Sequence, residues 1–193
     1  MWSHIAMGEA MEIRPLRLGG VCEILPRRIE DTRGFFSETY NARALREHGI
    51  EIDFVQDNHS RSLRKGVVRG LHYQLPPHAQ AKLVRVVKGA IWDVAVDIRR
   101  NSATFGEWVG LEVSAERWNQ ILIPEGFAHG FITLTEDTEV VYKVSAYYSP
   151  EHDRAIRFDD PAIGIDWPFV AADVCLSDKD RTAPLLNEAE LFK

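Results

Sequence analysis

The sequence predicts a single all-β domain: a jelly-roll antiparallel β-barrel with a few short peripheral helices. Three observations lead there. Short runs rich in Val, Ile, Phe, Tyr and Trp recur along the chain, turn residues separate them at intervals of roughly eight to twelve residues, and many runs alternate. In Trp92-Asp93-Val94-Ala95-Val96-Asp97-Ile98, for example, apolar and polar positions trade places with a period near two. Strands at this spacing, with no helical pattern between them, build an antiparallel sandwich or barrel. A chain of 193 residues suits one domain with its own core.

In chain order, residues 1–10 lack the basic start and apolar stretch of a signal peptide, and Met11 is a candidate start. They are expected to be a disordered extension, leaving 11–193 as the jelly-roll domain. The expected strands cover 20–25, 54–58, 67–74, 82–87, 90–98, 106–113, 120–123, 126–133 and 139–145. One helix stands out early. Asn41 can cap it, residues 42–47 are good helix formers, and Gly49 suits a left-handed exit. A second short helix is expected near 184–191.

Composition narrows the function. Apolar residues make up 45% and charged residues 27%, an ordinary globular mix, and the net charge is −6. An acidic chain is a poor partner for nucleic acid, although one basic pocket can still hold a small anion. No apolar run approaches the roughly 20 residues that span a bilayer. Cys22 and Cys175 lie far apart without metal-type spacing, as expected of inert thiols in a reducing cytoplasm. The sequence also lacks GxSxG, GxxxxGK[ST], HExxH and a GxGxxG opening a helix, which argues against serine hydrolysis and nicotinamide chemistry.

Polar residues gather instead in three places: Arg69-Gly70-Leu71-His72-Tyr73-Gln74, Pro124-Glu125-Gly126-Phe127-Ala128-His129-Gly130-Phe131, and Tyr142 to Pro150. On a regular strand, Arg69, Leu71 and Tyr73 share one face while Gly70, His72 and Gln74 share the other. His72 and Gln74 are thus expected to point into the barrel together. A histidine in a strand can equally be a hydrogen-bonded core residue.

An early strand histidine followed by PxGxxH resembles the cupin superfamily, many of whose members bind a metal through HxH, a glutamate and the later histidine. Here Pro124, Gly126 and His129 match the later half, but Gln74 takes the second histidine's place and Lys82 falls near the acidic position. An ammonium has no lone pair and repels a cation, so no metal is expected. What remains is a pocket of Arg69, Lys82, His72 and His129, suited to an anionic ligand.

Eight ordered blocks carry a more specific resemblance. They are Asp31-Thr32-Arg33-Gly34-Phe35-Phe36, Phe54-Val55-Gln56-Asp57-Asn58-His59-Ser60, Gly66-Val67-Val68-Arg69-Gly70-Leu71-His72-Tyr73-Gln74 and Lys82-Leu83-Val84-Arg85-Val86. Further on come Ile123 to Phe131, Tyr142-Lys143, Tyr147-Tyr148-Ser149-Pro150-Glu151-His152, and the run from Asp159 to Pro168. From about Leu16 to Leu186 the chain resembles the dTDP-4-dehydrorhamnose 3,5-epimerase family.

That resemblance implies an isomerase acting on a dTDP-4-keto-6-deoxyhexose and needing no cofactor. The ketone acidifies the hydrogens on C3 and C5, so inversion is deprotonation to an enolate followed by reprotonation from the opposite face. By resemblance His72 is the base, Asp180 orients it, Lys82 stabilises the enolate oxygen and Tyr142 is the general acid. Arg33 and Arg69 match residues contacting the diphosphate, and Tyr148 matches a ring stacked on thymine. Glu38, Gln56, Asn58, His129 and Lys179 match further substrate contacts. Asp153 does too, standing where the family more often has glutamate. Glu38 also fits a solvated strand residue and Asn58 a turn residue. Tyr147 and Tyr148 are adjacent, so only one can stack. The family also implies a homodimer, in which an early strand carries Arg33 into the partner's pocket. Three alternatives stay open on sequence: a 3-only or 5-only epimerase of another deoxysugar pathway, a metal-dependent cupin oxygenase, and a non-catalytic sugar-nucleotide binder. Gln74 and Lys82 argue against the oxygenase, and the joint presence of His72, Tyr142 and Lys82 argues against the binder.

Overall fold

The computed structural model describes residues 11–169 and 174–192. The first ten residues, expected to stand apart from the domain, lie outside them. Among these residues, thirteen strands and two short helices follow one another in the order β1 (Met11–Pro15), β2 (Cys22–Pro26), β3 (Arg28–Asp31), β4 (Gly34–Ser37), α1 (Ala42–Glu47), β5 (Gln56–Ser62), β6 (Val68–Gln74), β7 (Lys82–Lys88), β8 (Ala90–Asp97), β9 (Trp108–Ser114), β10 (Gln120–Ile123), β11 (Phe127–Thr133), β12 (Thr138–Val144), β13 (Asp153–Ala155) and α2 (Asp178–Arg181).

The strands form two antiparallel sheets rather than one closed barrel. One has the order β1-β2-β10-β7-β12-β5 and the other β13-β6-β11-β8-β9, with β3 and β4 pairing as a separate hairpin. The all-β jelly-roll expectation is met, and the barrel is a sandwich open along its edges.

Alternation decides what lies between the sheets. Val84, Val86, Ile121, Ile123 and Val140 of the first sheet meet Ile91, Ala95, Val113, Phe127 and Phe131 of the second in one buried cluster. Each of these side chains except Ala95 contributes about 1.5–3 kcal/mol on leaving water, so this half of the interface clamps the sheets together. The outer faces are covered as well. Ala44 and Leu45 of α1 pack on Leu83, Leu122 and Ile24, and the C-terminal stretch lays Ile156, Leu186 and Leu191 over Leu71, Tyr73, Val94 and Val96.

Several expectations shift. Helix α1 forms as read, with Asn41 Oδ1 accepting from the backbone N–H of Arg43 and Ala44. Around 184–191, however, there is only a single turn, in which Leu185 O accepts from the N–H of Glu188 and Ala189. Buried Asp160 takes the Leu186 N–H at 2.6 Å and fixes that turn against the sheet. The strand expected at 54–58 runs on to Ser62. Its Gln56, Asn58 and Ser60 face inward and Asp57, His59 and Arg61 outward, so both faces are polar and no hydrophobic period marks it. Strands β1, β3, β4 and β13 were not anticipated.

Candidate active site

Where the apolar cluster stops, the two sheets diverge around polar side chains. A cavity of about 540 Å³ is lined by Ser60, Lys82 and Tyr142 from one sheet and Arg69, His72, His129 and Phe131 from the other, with Cys175 to Ser177 and Asp180 at its rim. A second hollow of about 400 Å³ shares His72, Lys82 and Tyr142 and continues to Gln56, Asn58, Gln74, Tyr148, Asp153 and Lys179. The three shared residues stand at the waist of one trough.

Strand register places them. On β7 and β12 Lys82 lies opposite Val144 and Val84 opposite Tyr142, so Lys82 and Tyr142 sit diagonally on the inward face. Across the gap, His72 of β6 lies directly opposite His129 of β11. The next pair is Arg69 with Phe131, three residues of β6 against two of β11. This irregularity corrects the sequence reading. Regular alternation would put Arg69 on the face away from His72, whereas the extra residue returns both to the cavity. Gly70 permits it. Its φ is +128°, and a Cβ there would sit 2.4 Å from Gly130 Cα and 2.7 Å from His129 O.

His72 Nε2 is 2.5 Å from Asp180 Oδ1, with the imidazole one-third exposed and the carboxylate almost fully buried. Ser177 caps α2, accepting from the Asp180 N–H at 3.1 Å and donating its hydroxyl to Asp180 Oδ2 at 2.8 Å. Burial pushes the Asp180 carboxyl up, but the His72 and Ser177 hydrogen bonds outweigh it and hold it below the usual carboxylate range. With Nε2 committed, Nδ1 of His72 has no partner among the described residues.

Lys82 is buried and donates to His72 O at 3.1 Å. Burial pushes its ammonium down to about 8, while the charges of Asp93 and Asp153 support it. Burial also raises the Tyr142 phenol, which keeps it protonated at neutral pH; the positive charge of Arg69 opposes the rise.

Other expected residues take defined places. Gln56 Oε1 accepts from the Tyr148 N–H at 3.1 Å while its amide donates to Asn58 Oδ1 at 2.8 Å, so Asn58 is an inward strand residue and not a turn residue. Asp153 pairs with Lys179 and accepts the Tyr148 hydroxyl at 3.2 Å. Gln74 accepts from the Ser149 N–H and donates to His78 O and Tyr147 O, holding the loop that presents Tyr148. Two residues are not brought in. Arg33 is exposed on the β3–β4 hairpin, paired with Asp31, and Glu38 accepts from Asn41 Nδ2 in a groove on the outer face of the first sheet.

Sequence reasoning missed Asp93. It is wholly buried on β8, and His129 Nε2 bonds its Oδ2 at 2.8 Å. Burial raises the Asp93 carboxyl and lowers His129. The signal available was an aspartate in mid-strand between Trp92 and Val94.

The trough therefore offers a carboxylate-backed imidazole, a buried ammonium and a neutral phenol, a set able to move protons at carbon beside a carbonyl. Among the described residues no cluster of three or more His, Cys, Asp and Glu could hold a metal. Where the cupin pattern needs ligands, Lys82 supplies positive charge and Gln74 is spent on the loop.

Comparison with known proteins finds relatives along nearly the whole chain. The family model described as dTDP-4-dehydrorhamnose 3,5-epimerase matches residues 15–188. The Salmonella typhimurium dTDP-4-dehydrorhamnose 3,5-epimerase is 53% identical over 167 residues, covering 86% of this chain and 90% of that protein. That of Sinorhizobium fredii is 49% identical over 180 residues, 93% and 92% of the two chains. The solved dTDP-6-deoxy-D-glucose-3,5-epimerase of Legionella pneumophila, in complex with dTDP-4-keto-L-rhamnose, superposes with a TM-score of 0.90 at 46% identity, covering 95% of this chain and 98% of that one.

Proposed function

The chain belongs to the dTDP-4-dehydrorhamnose 3,5-epimerase family, and from that premise we propose that it converts dTDP-4-keto-6-deoxy-D-glucose to dTDP-4-keto-L-rhamnose by inverting C3 and C5. The observation that carries this reading is the His72–Asp180 pair facing Lys82 and Tyr142 across one cavity. His72 Nδ1 takes the proton from the carbon next to the ketone. The Asp180 carboxylate fixes the tautomer that leaves Nδ1 free and stabilises the imidazolium that forms. Lys82, its ammonium singly bonded among the described residues, meets the negative charge that grows on the ketone oxygen. Tyr142 approaches from the opposite sheet and delivers a proton to the other face of the sugar.

The second hollow suits the nucleotide. Tyr148 offers its ring there beside Lys179, Asp153, Gln56 and Asn58, while Arg69 lines the first cavity as a phosphate contact. His129 is a further substrate contact, and Glu38 is retained as one from the outer groove. Catalysis uses no metal or other cofactor, because the role of a Lewis acid is taken by Lys82.

The acting unit is a homodimer in which the β3–β4 hairpin carries Arg33 to the neighbouring site. Phe35 and Phe36 are about half exposed on that hairpin, and Arg33 does not line its own chain's cavity. Sedimentation showing a fully active monomer would overturn this arrangement. The setting is the cytoplasm, supported by two free thiols, Cys22 and Cys175. No described helix is long and apolar enough to cross a membrane.

Incubating the protein with dTDP-4-keto-6-deoxy-D-glucose in D2O, and following both carbons by proton NMR, tests the assignment. Deuterium should enter at C3 and C5, and both centres should invert. Exchange confined to one carbon would make it a 3-only or 5-only epimerase, and none at either would remove the activity.

A further inference from the structure

We propose that Asp93 is a positioning residue of this active site: its buried carboxylate, held by His129, is the counter-charge that keeps Lys82 an ammonium ready for the enolate. The inference deepens the epimerase reading and rests on it.

The geometry comes first. Lys82 projects from the first sheet into a space walled by the second, and among the described residues its one hydrogen bond is to a neutral carbonyl, His72 O. A buried ammonium without an anion nearby is costly and tends to shed its proton. Every charged or titratable group around the waist bears on which form it takes. Arg69 and His72 line it from β6, His129 from β11, Tyr142 from β12, Asp153 from β13, Lys179 and Asp180 from α2, and Tyr148 and Cys175 from the adjoining loops, while Asp93 of β8 stands behind His129 and is bonded to it. Arg69 and Lys179 are positive, and His72 becomes positive in catalysis. Of the three carboxylates, Asp153 is already matched by Lys179, and Asp180 is engaged by His72 and Ser177.

Asp93 is different. Its Oδ2 bonds His129 Nε2, its Oδ1 has no hydrogen-bond partner among the described residues, and its side chain is fully buried. Burial, together with the nearby charges of Lys82 and His72, keeps His129 from becoming a cation that would cancel Asp93. The support is mutual. Asp93 is the foremost charge favouring the Lys82 ammonium, and Lys82 in turn favours the Asp93 carboxylate. His129 thus has two jobs, a wall of the cavity on one side and the clamp on Asp93 on the other.

The test reads Lys82 directly. With carbon-13-labelled lysine in the full chain, the Cε resonance of Lys82, assigned by its loss in Lys82→Arg, is titrated in the native protein and in Asp93→Asn. The native midpoint should lie at about 8, and in Asp93→Asn it should fall by about one pH unit, the usual effect of losing a nearby opposite charge. Thermodynamic linkage supplies a reciprocal measurement that leaves Asp93 untouched: Lys82→Met should raise the titration midpoint of the Asp93 carboxyl by a similar amount, read from its carbon-13 resonance. This second variant keeps the proposal testable if Asp93→Asn does not fold. In turnover, the alkaline limb of kcat should move to lower pH in Asp93→Asn with KM unchanged, a split that mere loosening of the wall would not produce. A Lys82 midpoint unmoved by Asp93→Asn, or an Asp93 midpoint unmoved by Lys82→Met, overturns the proposal even in an active enzyme. Native protein that fails to turn over the keto-sugar sinks the epimerase reading instead and leaves the titrations standing.

Discussion

Asp180→Asn probes the base most sharply, because it changes the chemistry of one group at almost constant volume. Asp180 Oδ1 faces His72 Nε2 at 2.5 Å, and Oδ2 accepts the Ser177 hydroxyl at 2.8 Å. Ser177 Oγ already accepts from the backbone N–H of residue 180, so its own proton must go to the side chain. An asparagine satisfies it with its carbonyl oxygen and therefore turns its NH2 towards His72. The imidazole then accepts at Nε2 and carries its proton on Nδ1, the nitrogen that should receive the substrate's. Losing the charge-assisted bond costs about 1.5–3 kcal/mol, and the wrong tautomer adds to it. Amide replacement behind a catalytic histidine lowers turnover by roughly 10⁴ where the tautomer inverts. The expected loss in kcat is about 10³–10⁴, equal to about 4–5.5 kcal/mol of barrier. Affinity for dTDP should stay within about twofold, since Asp180 reaches the sugar only through His72. Deuterium wash-in at C3 and C5 measures the base, and calorimetry with dTDP measures the site. If a folded variant with native dTDP affinity kept more than about a tenth of the wash-in rate, the reasoning would be wrong.

Three further outcomes follow from the same geometry. Tyr142→Phe should keep deuterium exchange, because His72 can take and return a proton on one face, while net inversion followed by NMR falls by about 10²–10⁴; normal inversion would move the acid elsewhere. Burial brings the Lys82 ammonium down to about 8 from its ordinary 10.5. Between those values the unfolded chain keeps a proton the folded form sheds, so stability rises with pH there and the cost is full below 8. Lys82→Met should thus flatten that rise in urea unfolding between about pH 8 and 10.5, while turnover is lost; an unchanged rise would place the titration on another group. Gly70→Ala should cost about 3 kcal/mol or more in the same assay, from positive φ and the collision with the β11 backbone, and should displace Arg69 and His72 together.

What the sequence could and could not announce follows from which faces are covered. Strands β7, β10 and β12 sit in or near their expected places because their inward residues are apolar wherever they meet the core. His72 was legible because alternation could orient it on its strand, while Lys82 and Tyr142 were singled out by the resemblance and take their places from the register of β7 and β12. Strand β5 was half hidden, since its inward face lines a polar cavity and carries Gln56, Asn58 and Ser60. Arg69 was turned the wrong way because a β-bulge leaves no hydrophobic signature, only a glycine.

Asp93 shows the deeper limit of a period-two reading. In the run from Trp92 to Ile98 the more apolar face holds Trp92, Val94, Val96 and Ile98, and ordinary patterning would turn that face to the space between the sheets. The structure does the reverse. Those four residues pack under the C-terminal stretch, while Asp93 and Ala95 point inward. Alternation distinguishes a buried face from a wet one, but both faces of this sheet are buried, so the pattern no longer tells inside from outside. The polar face is then the one turned to the cavity, because only there do His129 and Lys82 offer a carboxylate the partner and the opposite charge that its burial requires. An aspartate in the middle of a strand covered on both sides is, on this logic, evidence for a functional pocket and not for a solvated surface.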